Sequence, residues 1–256
     1  MADDPRTKSK VDSVVIDSGS SDAITQELST ATAPSSLTED GALALLQNTD
    51  VDRETLEQLG RTELVAKSRK VKCALVAHPR SPRHVSVPLL RQLYTFDLMH
   101  LALTPVVAGD LKRAADEVLC NRLASIVPGE RLSLARRGSG RVAAALLHDR
   151  EARVMRAALE NTHLTEALIV QAITRAVSNA PLIEALCHHA QWSLRREVRI
   201  TLLRNEKTPM ARAVEFARGI PAPQLREILQ NSKLPENIKS FLLRELSQKH
   251  QGAGAP

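Results

Sequence analysis

The stretches RKVKCALVAHPRSP (69–82), ARVMRAALENTHLT (152–165) and REVRITLLRNEKTP (196–209) decide how this chain folds. In each, a Val (Val71, Val154, Val198) stands seven residues before a small polar or imidazole marker, His78, Asn161 or Asn205. Aliphatic residues fill the positions close before the marker, and Pro82, Thr165 or Pro209 follows four residues after it. Two shorter copies, LLQNTDVD and ILQNSKLP, surround Asn48 and Asn231. The pattern predicts a helix ending at the marker, a three-residue turn and a second helix. Asn suits the stop because it tolerates the left-handed conformation and hydrogen-bonds locally. Ser81-Pro82 and Thr208-Pro209 would start the second helix, with a hydroxyl as N-cap and Pro at the first helical position. Such a pair cannot bury its own apolar stripe, so neighbouring pairs must stack to close the core.

Working outward, apolar residues keep recurring at helical spacing. Val85, Leu89, Leu90 and Leu93 form one stripe, Leu164, Leu168, Ala172 and Ile173 a second, and Ile238, Phe241, Leu242 and Leu246 a third. No alternating β-branched run and no Asn-Gly or Asp-Gly hairpin signal interrupts them. The marker fades between 95 and 145, where helices are expected near 106–125, 129–136 and 139–147. The expected fold is all-α: a right-handed α-α superhelix, or solenoid, of antiparallel helix pairs over residues 36–248. Residues 1–35 are rich in Ser, Thr, Asp and Ala with few large apolar side chains, so a disordered acidic tail is expected there. Ser36-Leu37-Thr38-Glu39 reads as a capping box that opens the ordered body. Residues 249–256 read as a flexible end.

Composition agrees. Aromatic residues make up only 2% of the 256 residues, so the core has to be built from Leu, Ala, Val and Ile, which suits helix on helix. The net charge of +6 is uneven: residues 1–40 hold three basic and eight acidic side chains, leaving 32 basic against 21 acidic, an excess of +11, on the rest. That excess favours acidic partners or polyanions and says nothing about fold. Cys73, Cys120 and Cys187 are odd in number and far apart, which argues against a disulfide framework and for a reducing compartment. No apolar stretch follows the charged start MADDPRTKSK, and the longest aliphatic run, 142–147, is too short to span a bilayer. A cytoplasmic protein with no membrane association is expected.

The repeated pattern, written R/K-x-V-x-x-A/T-L-x-x-N/H-x-x-T/S-P, resembles the helix-turn-helix unit of HEAT-like (armadillo-type) repeat proteins. More narrowly, ALVAHPRSPRHVSVPLLRQLYTFDLMHLAL (74–103) is similar to an uncharacterised bacterial HEAT-like group with tandem turns of the NPRTP type. The resemblance covers about 39–248 and implies architecture, not activity. DNA glycosylases of the HEAT-like class hold a damaged base with aromatic side chains and a catalytic Asp. Here Trp192 and Tyr94 are the rings on offer and no Asp lies beside Trp192, so that activity is not expected.

Catalytic and metal chemistry find no footing in the pattern. Cys187-His188-His189 puts neighbouring His side chains about 100° apart on one helix, with no second ligand pair nearby. Cys73 with His78 or His84, and Cys120 with His100, lack an elbow, a Gly-rich turn or a helix start at the thiol. Neither a metal nor a cofactor is expected. Binding residues are easier to propose. Arg136-Arg137-Gly138-Ser139-Gly140-Arg141 offers guanidiniums around a Gly turn and a helix start, a weak phosphate motif with no Lys-Ser/Thr behind it. A wider basic face would run through Arg150, Arg153, Arg156, Arg195, Arg196, Arg199 and Arg204, with Arg153, Arg156 and Arg199 aligned by stacking of equivalent units. The candidate partner- or phosphate-binding set is therefore Arg136, Arg137, Arg141, Arg153, Arg156, Arg195, Arg196 and Arg199. The expected function is non-catalytic: a scaffold holding a protein partner, with nucleic-acid binding through the Arg-rich face as the alternative.

Overall fold

The computed structural model describes residues 37–175 and 180–252. Among them are sixteen α-helices, one short 3₁₀ turn and no strand. None of the described helices is long and apolar enough to cross a membrane. The chain divides into two compact units, Met1–Leu89 and Leu90–Pro256. The expected tail, 1–35, and Ser36 lie outside the described residues. The first described cap is Thr38, whose hydroxyl accepts from the Gly41 amide at 3.2 Å.

The first unit contains α1 (Glu39–Gln47), α2 (Arg53–Gly60), α3 (Glu63–Lys67), α4 (Arg69–Ala77) and most of α5 (Arg83–Leu90). Asp52 and Ser68 cap α2 and α4 by accepting from the amides of Thr55 and Val71. Pro88 lies inside α5 and has no amide to donate to the preceding turn. α1 packs on α4, and Leu45 and Leu46 of α1 and Val71, Leu75 and Val76 of α4 are buried. Their turns are stitched together: His78 Nε2 lies 3.0 Å from the Asn48 carbonyl, and Arg80 grips Asp50 at its carbonyl and carboxylate, both at 2.9 Å.

The second unit runs through α6 (Thr95–Leu103), α7 (Gly109–Arg122), α8 (Pro128–Arg137), α9 (Gly140–Leu146), α10 (Ala152–Leu159) and α11 (Glu166–Thr174). It continues with α12 (Ala180–His188), the 3₁₀ turn Trp192–Leu194, α13 (Arg196–Leu203), α14 (Met210–Arg218), α15 (Ala222–Gln230) and α16 (Glu236–Gly252). Beyond α7, helices pack on the helix two further along the chain. One row is α7, α9, α11, α13 and α15; the other joins α8 to α10 to α12, and α14 to α16. The core is aliphatic, as expected: Leu134, Val142, Leu146, Val154, Leu159, Ile169, Leu182, Val198 and Leu202 are buried, and among the described residues Phe216 is the one large ring that is fully buried. Phe241, expected in the third stripe, is exposed instead.

All five markers sit at bends. Asn48, His78 and Asn231 are C-caps, and Asn161 and Asn205 each lie two residues beyond a helix end. The backbone differs from expectation. Asn48, His78 and Asn231 keep negative φ, between −63° and −97°, so no left-handed stop is used there. At four of the markers the side chain accepts from the amide two residues on: Asn48 from Asp50 at 2.9 Å, His78 from Arg80 at 3.2 Å, Asn161 from His163 at 2.7 Å and Asn205 from Lys207 at 2.9 Å. That bond satisfies an orphan turn amide without any strained backbone. Asp149 and His189 do the same for Glu151 and Gln191. The Ser-Pro and Thr-Pro reading also shifts by one residue. Pro209 is the N-cap of α14, and Thr208 donates its hydroxyl back to the Leu202 carbonyl at 2.6 Å. Pro at the first helical position appears at Pro128.

Candidate functional site

An open groove of about 880 Å³ runs along α10 and α12, adjacent members of one row. Arg153 and Arg156 stand three residues apart on α10 and so share a face. Arg136, on the last turn of α8, joins them. The opposite wall is α12, through Pro181, Glu184, Ala185 and His188, and Met155, Ala157 and Leu159 supply apolar surface between. The three arginines are exposed, and none is in an ion pair among the described residues. The groove is not uniformly basic. Glu160 and Glu184 also line it, but Glu160 is held by His189 Nε2 at 3.2 Å.

The other five candidate arginines lie elsewhere. Arg137 and Arg141 are exposed outside the groove, around the Gly138–Gly140 turn. The glycines of that turn make room for the protein itself. A Cβ at Gly140 would stand 2.2 Å from the His163 carbonyl oxygen, and one at Gly138 would stand 2.5 Å from that of Leu134. The Ser139 hydroxyl accepts from the Val142 amide as N-cap of α9 and donates to the Asp116 carboxylate at 2.6 Å. Burial raises the Asp116 carboxyl above its ordinary value, while Ser139 and then Arg141 pull it back. This turn is interhelical packing, and α9 is seven residues long.

Arg199 does not align with Arg153 and Arg156. It is half-buried, donates to the Ser193 carbonyl at 2.6 Å and lies 5.7 Å from the centre of the Phe216 ring. α10 and α13 carry the same Val-to-Asn spacing, yet they are three helices apart in a fold that packs every second helix, which places them in opposite rows. Arg196 reaches Gln224 of α15 at 3.0 Å, and Arg195, exposed, precedes α13.

The Cys187-His188-His189-Trp192 cluster is structural. Cys187 is fully buried, and burial pushes its thiol up to about 11, which leaves it protonated and unreactive. His188 turns to the Glu184 carbonyl and His189 to Glu160. Trp192, 4% exposed, caps α10 by donating its indole N–H to the Leu159 carbonyl at 2.9 Å. Burial and the neighbouring Asp116 likewise raise Cys120. Among the described residues no three His, Cys, Asp or Glu side chains gather as a metal site requires. No family model matches the sequence, and no curated protein or solved structure matches it.

Proposed function

We propose that the chain is a non-catalytic binding protein of the HEAT-like class, its second unit a short solenoid. In this reading the groove along α10 and α12 holds an acidic, partly apolar segment of a protein partner. Packing of helices on the second next, from α7 to α15 in one row and within α8–α12 and α14–α16 in the other, supports the solenoid, and the bends at the Asn and His markers support the repeat. The observation that carries the function is the set of three unpaired arginines around an apolar-floored groove. Three cysteines far apart in the chain, at 73, 120 and 187, suit a reducing, cytoplasmic setting.

The test is fluorescence anisotropy with a labelled Glu- and Leu-rich peptide against the wild type and R153E/R156E. The double variant should bind at least about tenfold more weakly, because like charges then face each other across the groove. Its thermal unfolding should be unchanged, since both positions are exposed. Equal binding by both proteins sinks the proposal. A second reading, phosphate contacts to nucleic acid, rests on the +11 excess over residues 41–256. Random duplex DNA in the same assay separates the two. Binding at about 50 mM salt that weakens steeply as salt rises favours nucleic acid, and no binding there removes it.

A further inference from the structure

We infer that the cavity beside the Asn205 turn is a binding site for a small oxyanion, either a carboxylate or a phosphoryl group. The cavity, about 450 Å³, is lined by the row opposite the groove, where the ends of α11, α13 and α15 bring Arg175, Arg204, Asn205 and Lys233 together. It is at the small end of ligand-sized cavities.

Asn205 supplies the first observation. The residue is 9% exposed, and its Oδ1 accepts from the Lys207 amide at 2.9 Å. That bond fixes the amide plane and leaves Nδ2 as the free end. At the equivalent turn, Asn161 uses Nδ2 to reach the carbonyls of Ala135 and Gly138, at 2.8 and 3.1 Å. Asn205 Nδ2 has no acceptor among the described residues, although it carries two hydrogens on a cavity wall. The free amide faces the cavity, where an incoming oxygen would accept from it.

The charges are the second observation. Arg175, Arg204 and Lys233 share the cavity, and none is in an ion pair among the described residues. The backbone holds two of them in register, since the Lys233 amide donates to the Arg204 carbonyl at 3.0 Å. Glu197 and Glu206 on the same wall reduce the balance to one net positive charge, and Glu206 is partly engaged by Lys207 at 3.4 Å. That balance matches one oxyanion group and opposes a run of phosphates. Charge-assisted bonds from the cations, with the Asn205 donor setting orientation, form the recognition.

The experiment uses the full ¹⁵N-labelled chain, titrated with sodium phosphate or sodium acetate at ionic strength held constant with sodium chloride. The Asn205 side-chain amide resonances should shift and saturate. Binding should weaken at least about tenfold in R204Q/K233Q, which loses two charge-assisted donors. It should vanish in N205D, which keeps the acceptor for Lys207 but replaces the donor with a negative charge. Tighter binding of phosphate assigns a phosphoryl ligand, and tighter binding of acetate assigns a carboxylate. Linear, unsaturated shifts, or equal saturation in wild type and R204Q/K233Q, overturn the site. Should N205D fail to fold, R204Q/K233Q decides alone, because both of its positions are exposed.

Discussion

The turns at Asn161 and Asn205 share one seven-residue frame but meet different surroundings. Behind Asn161 stands the end of α8, whose last carbonyls accept both hydrogens of the Asn161 amide, and the His163 carbonyl presses on Gly140. The helix two back from α13 is α11, which ends at Thr174 and offers Asn205 no such carbonyl, so the donor is left on a cationic cavity. The local device is the same in both turns. What fills the space beside it depends on the preceding layer, and where that layer falls short, a donor is available to a ligand.

The largest expected effect tests the tight side of this contrast. Gly140→Ala would force a methyl against the His163 carbonyl, a backbone atom with little room to move, and should cost about 3 kcal/mol in chemical denaturation. Gly129→Ala is the control. Nothing lies within 4 Å of its added Cβ, and it sits in α8, so helix propensity should make it neutral or slightly stabilising. Equal losses in the two variants would mean that the turns are not pressed together. The next effect compares the two markers directly. Asn161→Asp keeps the acceptor for His163 but sets a carboxylate against two carbonyl oxygens, so it should destabilise by about 2–3 kcal/mol. Asn205→Asp breaks no bond to Nδ2 and brings a negative charge near three cations, so its loss should stay within about 1 kcal/mol. A cost for Asn205→Asp as large as that for Asn161→Asp would erase the contrast.

Much of the fold could be read from the chain, because helix ends are local events. The Val-to-marker spacing finds bends at three positions and the shorter copies at Asn48 and Asn231 find two more, and the helices at 109–122, 128–137 and 140–146 match those expected near 106–125, 129–136 and 139–147. Two more bends use the same side-chain bond but escaped the pattern. Val142 stands seven residues before Asp149 and Leu182 seven before His189, so a marker class admitting Asp, with Leu allowed in place of Val, would have found them. The site was less legible. Arg153 and Arg156 share a face because three residues separate them, which is a local fact. Arg199 would join them only if equivalent units stacked in one row, and the row is set by how many helices intervene. The Asn205 cavity left no sequence signal at all, since Asn161 and Asn205 have matching frames and only the neighbouring layer tells them apart.

The smallest expected effect is read through His148, the residue before the Asp149 bend. Its Nε2 is buried without a partner among the described residues. Burial first, and then the charge of Arg175, lower its pKa below the ordinary 6.5. The sign follows from which state takes up the proton. Above 6.5 the imidazole is neutral in both states, and stability is at its full value. As the pH falls through 6.5, the unfolded chain binds a proton that the folded chain resists, so stability declines until the lowered folded pKa is reached. His148→Gln should remove that portion of the acid sensitivity. Arg175→Gln should remove only the second cause and raise the His148 pKa slightly, as followed by its imidazole resonances. Because Arg175 also lines the Asn205 cavity, an oxyanion bound there would offset the same charge. Phosphate or acetate should therefore raise the His148 pKa in the wild type and leave it unmoved in R175Q. A His148 titration indifferent to both anions would mean that Arg175 takes no part in holding them and would confine the site to Arg204, Asn205 and Lys233.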